Sequence, residues 1–143
     1  MSQLSYLAGK VLKQSLPVLP PPLAADAPAL RRLLLPQGEL AQFYDADKPI
    51  RYMAFVELRP GRLRGNHYHK LKEELLYIIQ GELSLLVQDL LNGTRHSLPL
   101  RSGDLALIRC GVAHALLTAA PGQAIEFSPA RFDPADTYPF PLA

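Results

Sequence analysis

The sequence predicts an all-β protein, a sandwich or barrel of short strands, and three observations carry that reading. Short runs rich in residues that suit a pleated surface recur along the chain, each closed by Pro, Gly or Asp. Asn92-Gly93 stands between two apolar runs, the strongest short-range signal for a β-hairpin. From Leu30 onward these breaks come too often to leave room for a helix of ordinary length.

In chain order, Leu4, Leu7, Ala8, Val11, Leu12 and Leu16 fall at roughly helical spacing, with Ser2 or Ser5 as N-cap candidates. They predict a short helix over residues 2–16. Pro17, Pro20, Pro21 and Pro22 then forbid regular hydrogen bonding and favour an extended, polyproline-like link. Residues 1–28 therefore read as an N-terminal arm, apolar enough to pack on the remainder or across a partner subunit, and residues 29–143 as the barrel domain. RRLLL, ELAQFY after Gln37-Gly38, and the run from Ile50 to Leu58 are the next strands. GELSLLVQDLL and TRHSLPL form the two arms of the hairpin around Asn92-Gly93. Residues 105–109, 114–120 and 123–128 complete the set, divided by Gly111 and by Pro121-Gly122.

Length and composition limit the classes of function. A chain of 143 residues is one domain in size, and 48% hydrophobic content supports one packed core. Net charge is +2, and the basic residues are scattered without interleaved aromatics, so no nucleic-acid partner is expected. No apolar run approaches the roughly 20 residues that cross a bilayer, so no membrane partner is expected. The single Cys110 has no internal partner and reads as a buried, inert thiol, and the chain shows no secretory leader; a cytoplasmic location is expected. Long strand edges need cover, which points to a homodimer.

The chemistry concentrates between Gly61 and Gly81. His67 and His69 sit two apart, so in a strand both rings share a face, and a carboxylate follows at Glu73 or Glu74. A third imidazole, His114, lies past a turn in GDLALIRCGVAH. Three imidazoles and a carboxylate suit a divalent transition metal (Fe, Mn, Ni, Co, Cu or Zn) better than Ca or Mg. Strand parity from Glu74 turns Leu76 and Ile78 inward, and parity from His114 turns Leu116 and Thr118 inward. Tyr77, Tyr52 and Phe55 are further candidates for the cavity wall, with Tyr77 taken as a substrate contact. Arg62 and Arg64 precede the histidines and are candidates to hold a substrate carboxylate or phosphate, with plain surface charge as the competing reading.

These residues resemble the two cupin motifs. Gly61, His67, His69, Glu74 and Gly81 match G-x5-H-x-H-x3,4-E-x6-G, which selects Glu74 over Glu73. Gly103, Gly111 and His114 match G-x5-P-x-G-x2-H-x3-N, with Arg109 in place of its proline and Thr118 in place of its asparagine. The resemblance implies a double-stranded β-helix, the cupin jelly-roll barrel, with a metal held inside by His67, His69, Glu74 and His114. It implies a small-molecule metalloenzyme of oxygenase or isomerase type. RGNHYHK and the tail FDPADTYPFPL also look like the small cupins that remodel dTDP-sugars, often without metal, where a histidine of the pair is the general base. That group carries Gln where Glu74 stands, which favours the metal reading. A non-catalytic binding or sensor module is the third alternative.

Overall fold

The structure, a computed structural model, describes residues 3–143, so the N-cap candidate Ser2 lies outside the described residues. Where a helix is expected, the chain forms strand β1 (Gln3–Tyr6), a one-turn 3-10 segment (Leu7–Gly9) and strand β2 (Val11–Ser15). Leu7 and Ala8 take positive φ values of 51° and 54°, which turn the chain back on itself so that β1 and β2 pair antiparallel. The apolar spacing that mimics a helix serves strand pairing instead, and Val11 is fully buried beneath the sheet.

The proline-rich link leads to a hairpin of β3 (Arg31–Leu35) and β4 (Gly38–Gln42), which forms a separate two-stranded sheet. Then come β5 (Tyr52–Leu58), β6 (Leu63–Tyr68), the long β7 (Glu74–Asp89), β8 (Arg95–Arg101), β9 (Asp104–Ile108), the long β10 (Val112–Ser128) and the short β11 (Tyr138–Pro139). The expected hairpin joins β7 to β8, with Gly93 at φ 76°. All named ladders are antiparallel. The all-β jelly-roll architecture expected from the sequence is the one observed.

Two strands run through both walls of the barrel. The first half of β10 pairs with β6 and with the second half of β7, while its second half pairs with β5 and with the first half of β7. Between the halves the register shifts around residues 118–124. Glycine makes that crossing possible: a Cβ at Gly122 would sit 1.7 Å from the Gln80 carbonyl oxygen, and one at Gly81 would lie 3.2 Å from the Ala120 oxygen. One wall is therefore β11, β6, the first half of β10, the second half of β7 and β8; the facing wall is β5, the second half of β10, the first half of β7, β9, β2 and β1.

Apolar side chains including Val56, Leu76, Ile78, Leu85, Leu98 and Ile108 fill the space between the walls. A second cluster lies on the outer side of β7, where Tyr77 stacks on Phe43 with ring centres 4.2 Å apart and Leu16, Leu105 and Phe127 close round them. No helix is long and apolar enough to cross a membrane among the described residues.

Candidate functional site

The site lies at one end of the space between the walls. His67 comes from β6, His114 from the first half of β10, His69 from the loop after β6, and Glu74 from the start of β7. A bulge brings the first two together: His114 pairs with His67 but Ala115 pairs with Gly65, leaving Asn66 extra at φ 59°. Gly65 permits this approach, since a Cβ there would lie 2.7 Å from the His114 carbonyl oxygen. The His67 ring centre is then 4.8 Å from that of His114 and 5.0 Å from that of His69. One ligand-type nitrogen from each ring falls within 4.8 Å of the others.

Glu74 reaches across from the facing wall. Its carboxylate oxygens lie 3.7 Å from His69 Nε2 and 3.3 Å from His114 Nε2. The residue is 8% exposed, whereas its neighbour Glu73 turns outward to Lys48 and Arg109, each at 3.4 Å. Two further charged groups, absent from the sequence reading, complete the cluster. Buried Lys72 sets its ammonium 3.3 Å from Glu74 Oε1 and 3.3 Å from Glu126 Oε1, with the Tyr52 ring 4.6 Å beneath it. Lys72 shares strand parity with Glu74, a usable signal; Glu126 alternates with Ile125 and Phe127 and so reads as an outward, solvated carboxylate.

The protonation states follow from this packing. Burial, reinforced by the neighbouring His114 and His69, pushes His67 down to about 4, so its imidazole is neutral at pH 7. Burial alone would raise Glu74, but His114 and His69 hold its carboxyl well below the usual range. Burial and the adjacent Glu74 push Glu126 up to about 7. Burial works against the charge on Lys72, yet Glu74 and Glu126 keep its pKa raised. His69 is also raised against its burial, by Glu74 and by the Asp136 carbonyl, which lies 2.9 Å from Nδ1. Asp136 in turn anchors the loop by accepting the backbone N–H groups of Lys70, Leu71 and Lys72.

A cavity of about 320 Å³ opens onto these groups, lined by His67, Glu74, His114, Glu126, Leu76 and Leu116 among others. Arg64 also lines it, while Arg62 is exposed outside it. Tyr77 does not reach the cavity, because it points to the other side of β7 and into the aromatic cluster. Phe55 faces solvent at 61% exposure and Tyr52 lies under Lys72. Asn66 ties down the C-terminal tail, donating to the Ala143 carbonyl and accepting the Leu142 N–H. Cys110, expected buried, is exposed. Arg109, where the cupin motif has proline, fixes its turn by donating to the Gly9 carbonyl.

No family model matches the chain, and no curated protein matches it by sequence. Solved structures do. The RmlC epimerase of Mycobacterium tuberculosis superposes with a TM-score of 0.73 at 13% identity, covering 96% of this chain and 72% of that one. The RmlC of Legionella pneumophila, solved with dTDP-4-keto-L-rhamnose, gives 0.73 at 13% identity, covering 96% and 76%. The TDP-quinovose 3,4-ketoisomerase WlaRB of Campylobacter jejuni gives 0.67 at 17% identity, covering 77% and 88%.

These neighbours correct the expected transition-metal cofactor, because RmlC-like epimerases and isomerases are cupins that work without metal. The side chains give a physical reason for the same correction. The expected carboxylate ligand, Glu74, already shares its charge with a buried ammonium at 3.3 Å, so a second cation at the imidazoles would meet repulsion from Lys72. The chain has the cupin fold, in the form of barrel that these sugar-nucleotide epimerases and ketoisomerases share.

Proposed function

We propose that the chain is an enzyme acting on a nucleotide-linked keto sugar, an epimerase or ketoisomerase whose general base is His67. The observation that carries this reading is a neutral imidazole, held near a pKa of 4, projecting into a cavity whose facing wall bears carboxyl groups. Abstraction of a proton next to a carbonyl needs such a base, placed within reach of a bound sugar and kept unprotonated. A cavity of about 320 Å³ lies at the low end of the roughly 300–1,000 Å³ usual for small-molecule sites and takes the hexose. Arg64 at its wall is the group for the diphosphate. The neighbours' substrates, dTDP-sugars, support the same class. Glu74 in place of the group's Gln is accommodated here by Lys72, whose ammonium balances its charge.

The test is proton NMR of dTDP-4-keto-L-rhamnose in D2O with the protein. Loss of a ring C–H signal beside the carbonyl, abolished by His67→Asn, is the expected result; a spectrum unchanged by the wild-type protein refutes the reading. We also propose a homodimer. It is supported by the edge strand β5, which pairs only with β10 among the described residues and exposes Met53 and Phe55 at 62% and 61%. Light scattering that returns a monomer mass would refute it.

A further inference from the structure

The base accounts for half of a proton-transfer reaction, and the facing wall offers the other half. Glu126 stands on the second half of β10, paired with Ala54 of β5 and Leu76 of β7. His67 stands on β6, in the opposite wall, and both side chains line the same cavity. A sugar ring bound between the walls presents one face to each.

The cluster orders the groups on that wall. Lys72 is the buried member, its side chain 8% exposed, and it grips Glu74 and Glu126 at 3.3 Å each. Glu74 and Glu126 both line the cavity, and Glu126 is the more open of the two, its side chain 24% exposed against 10% for Glu74. Two carboxylates so close cannot both ionise cheaply, and the imidazoles of His69 and His114 approach Glu74, so the shared proton falls to Glu126. An apolar residue would pack against Leu76 and Val56 without that like-charge cost, so this position carries a chemical group where packing alone does not ask for one.

We propose that Glu126 is a second catalytic residue, which delivers a proton to the sugar from the face opposite His67, so that the reaction is epimerisation. This rests on the functional reading above. His67 takes the proton from the carbon beside the carbonyl, and the C–H electron pair moves into the ring as an enolate. The enolate collapses back to the ketone as the same carbon takes the Glu126 carboxyl proton on its other face. Configuration inverts, and the enzyme is left with imidazolium and carboxylate. Exchange of one proton with water restores both.

The experiment follows configuration and isotope together, by NMR of dTDP-4-keto-L-rhamnose in D2O with wild type, Glu126→Gln and His67→Asn. In wild type the epimer forms and carries deuterium at the inverted carbon. In Glu126→Gln, deuterium still enters the starting sugar with retained configuration, returned by His67 to the face it left, while inversion falls by about 10²–10⁴-fold. Continued exchange also shows that the variant is folded. His67→Asn loses both exchange and inversion. Full inversion by Glu126→Gln overturns the assignment and leaves the role of His67 standing; loss of exchange together with inversion in that variant overturns the division of labour between the walls. A wild type that exchanges nothing overturns this inference along with the functional reading.

Discussion

The two walls of the barrel differ in kind although one strand, β10, contributes to both. The β6 wall carries imidazole rings, His67 and His114, brought together by a bulge and a glycine. The facing wall carries acidic groups around a buried ammonium: Glu74 and Glu126, bridged by Lys72, in a sheet that β9 and β2 continue. The difference teaches where proton affinity comes from in this fold. Burial beside other imidazoles depresses His67, and burial beside another carboxylate elevates Glu126, so the same physics holds one group without its proton and favours the proton on the other.

The most damaging way to break this arrangement is at the crossing that lets β10 serve both walls. Gly122→Ala places a Cβ 1.7 Å from the Gln80 carbonyl oxygen, and backbone must move on both strands. We expect a loss of more than about 4 kcal/mol, read as a collapse of the denaturant midpoint. A near-native midpoint would mean that the walls are not held together there.

Removing the edge strands of the charged wall comes next. A chain starting at Leu23 lacks β2, whose Val11 is fully buried and whose ladder covers β9, and lacks Leu16, 6% exposed. Each of those side chains stabilises by about 1.5–3 kcal/mol when buried. The truncated chain should melt well below the full one, and an unchanged melting temperature would show β1 and β2 to be dispensable.

A milder change sharpens the contrast in proton affinity. The base limb of kcat/KM should fall only as pH drops through about 4, where His67 gains its proton, and the acid limb should fall as pH rises through about 7, where Glu126 loses one. Lys72→Met removes the positive charge that lowers Glu126, so the upper limb should move to higher pH while the lower limb gains less. An upper limb that stays fixed would detach it from Glu126.

Much of this site was legible because its spacing is rigid. Two histidines two apart on a strand must share a face, and Glu74 at the motif distance, not Glu73, points inward. Glu126 was not, because a charged residue in an alternating strand reads as solvated, and only the pairing of β10 with β7 brings it to the buried Lys72, whose own parity with Glu74 was the signal overlooked. The N-terminal segment misled for another reason. Leu4, Leu7 and Val11 fit a helical stripe, but the turn that converts them to a hairpin uses positive φ at Leu7 and Ala8, residues that give no sign of it, and the reward comes from pairing with β9 far along the chain. Tyr77 was assigned to the cavity although its parity opposes that of Glu74 by three positions, which places it with Phe43.

The central claim is that His67 performs proton transfer on a keto sugar without a metal. Its most direct measurement is the rate of deuterium entry from D2O into dTDP-4-keto-L-rhamnose, with protein freed of metal by exhaustive chelation, beside the His67→Asn variant treated in the same way. The account predicts an undiminished rate for the chelated wild type and a fall of about 10²–10⁴-fold for the variant. Exchange that vanishes on chelation and returns with a divalent transition metal, or that persists in His67→Asn, would contradict it.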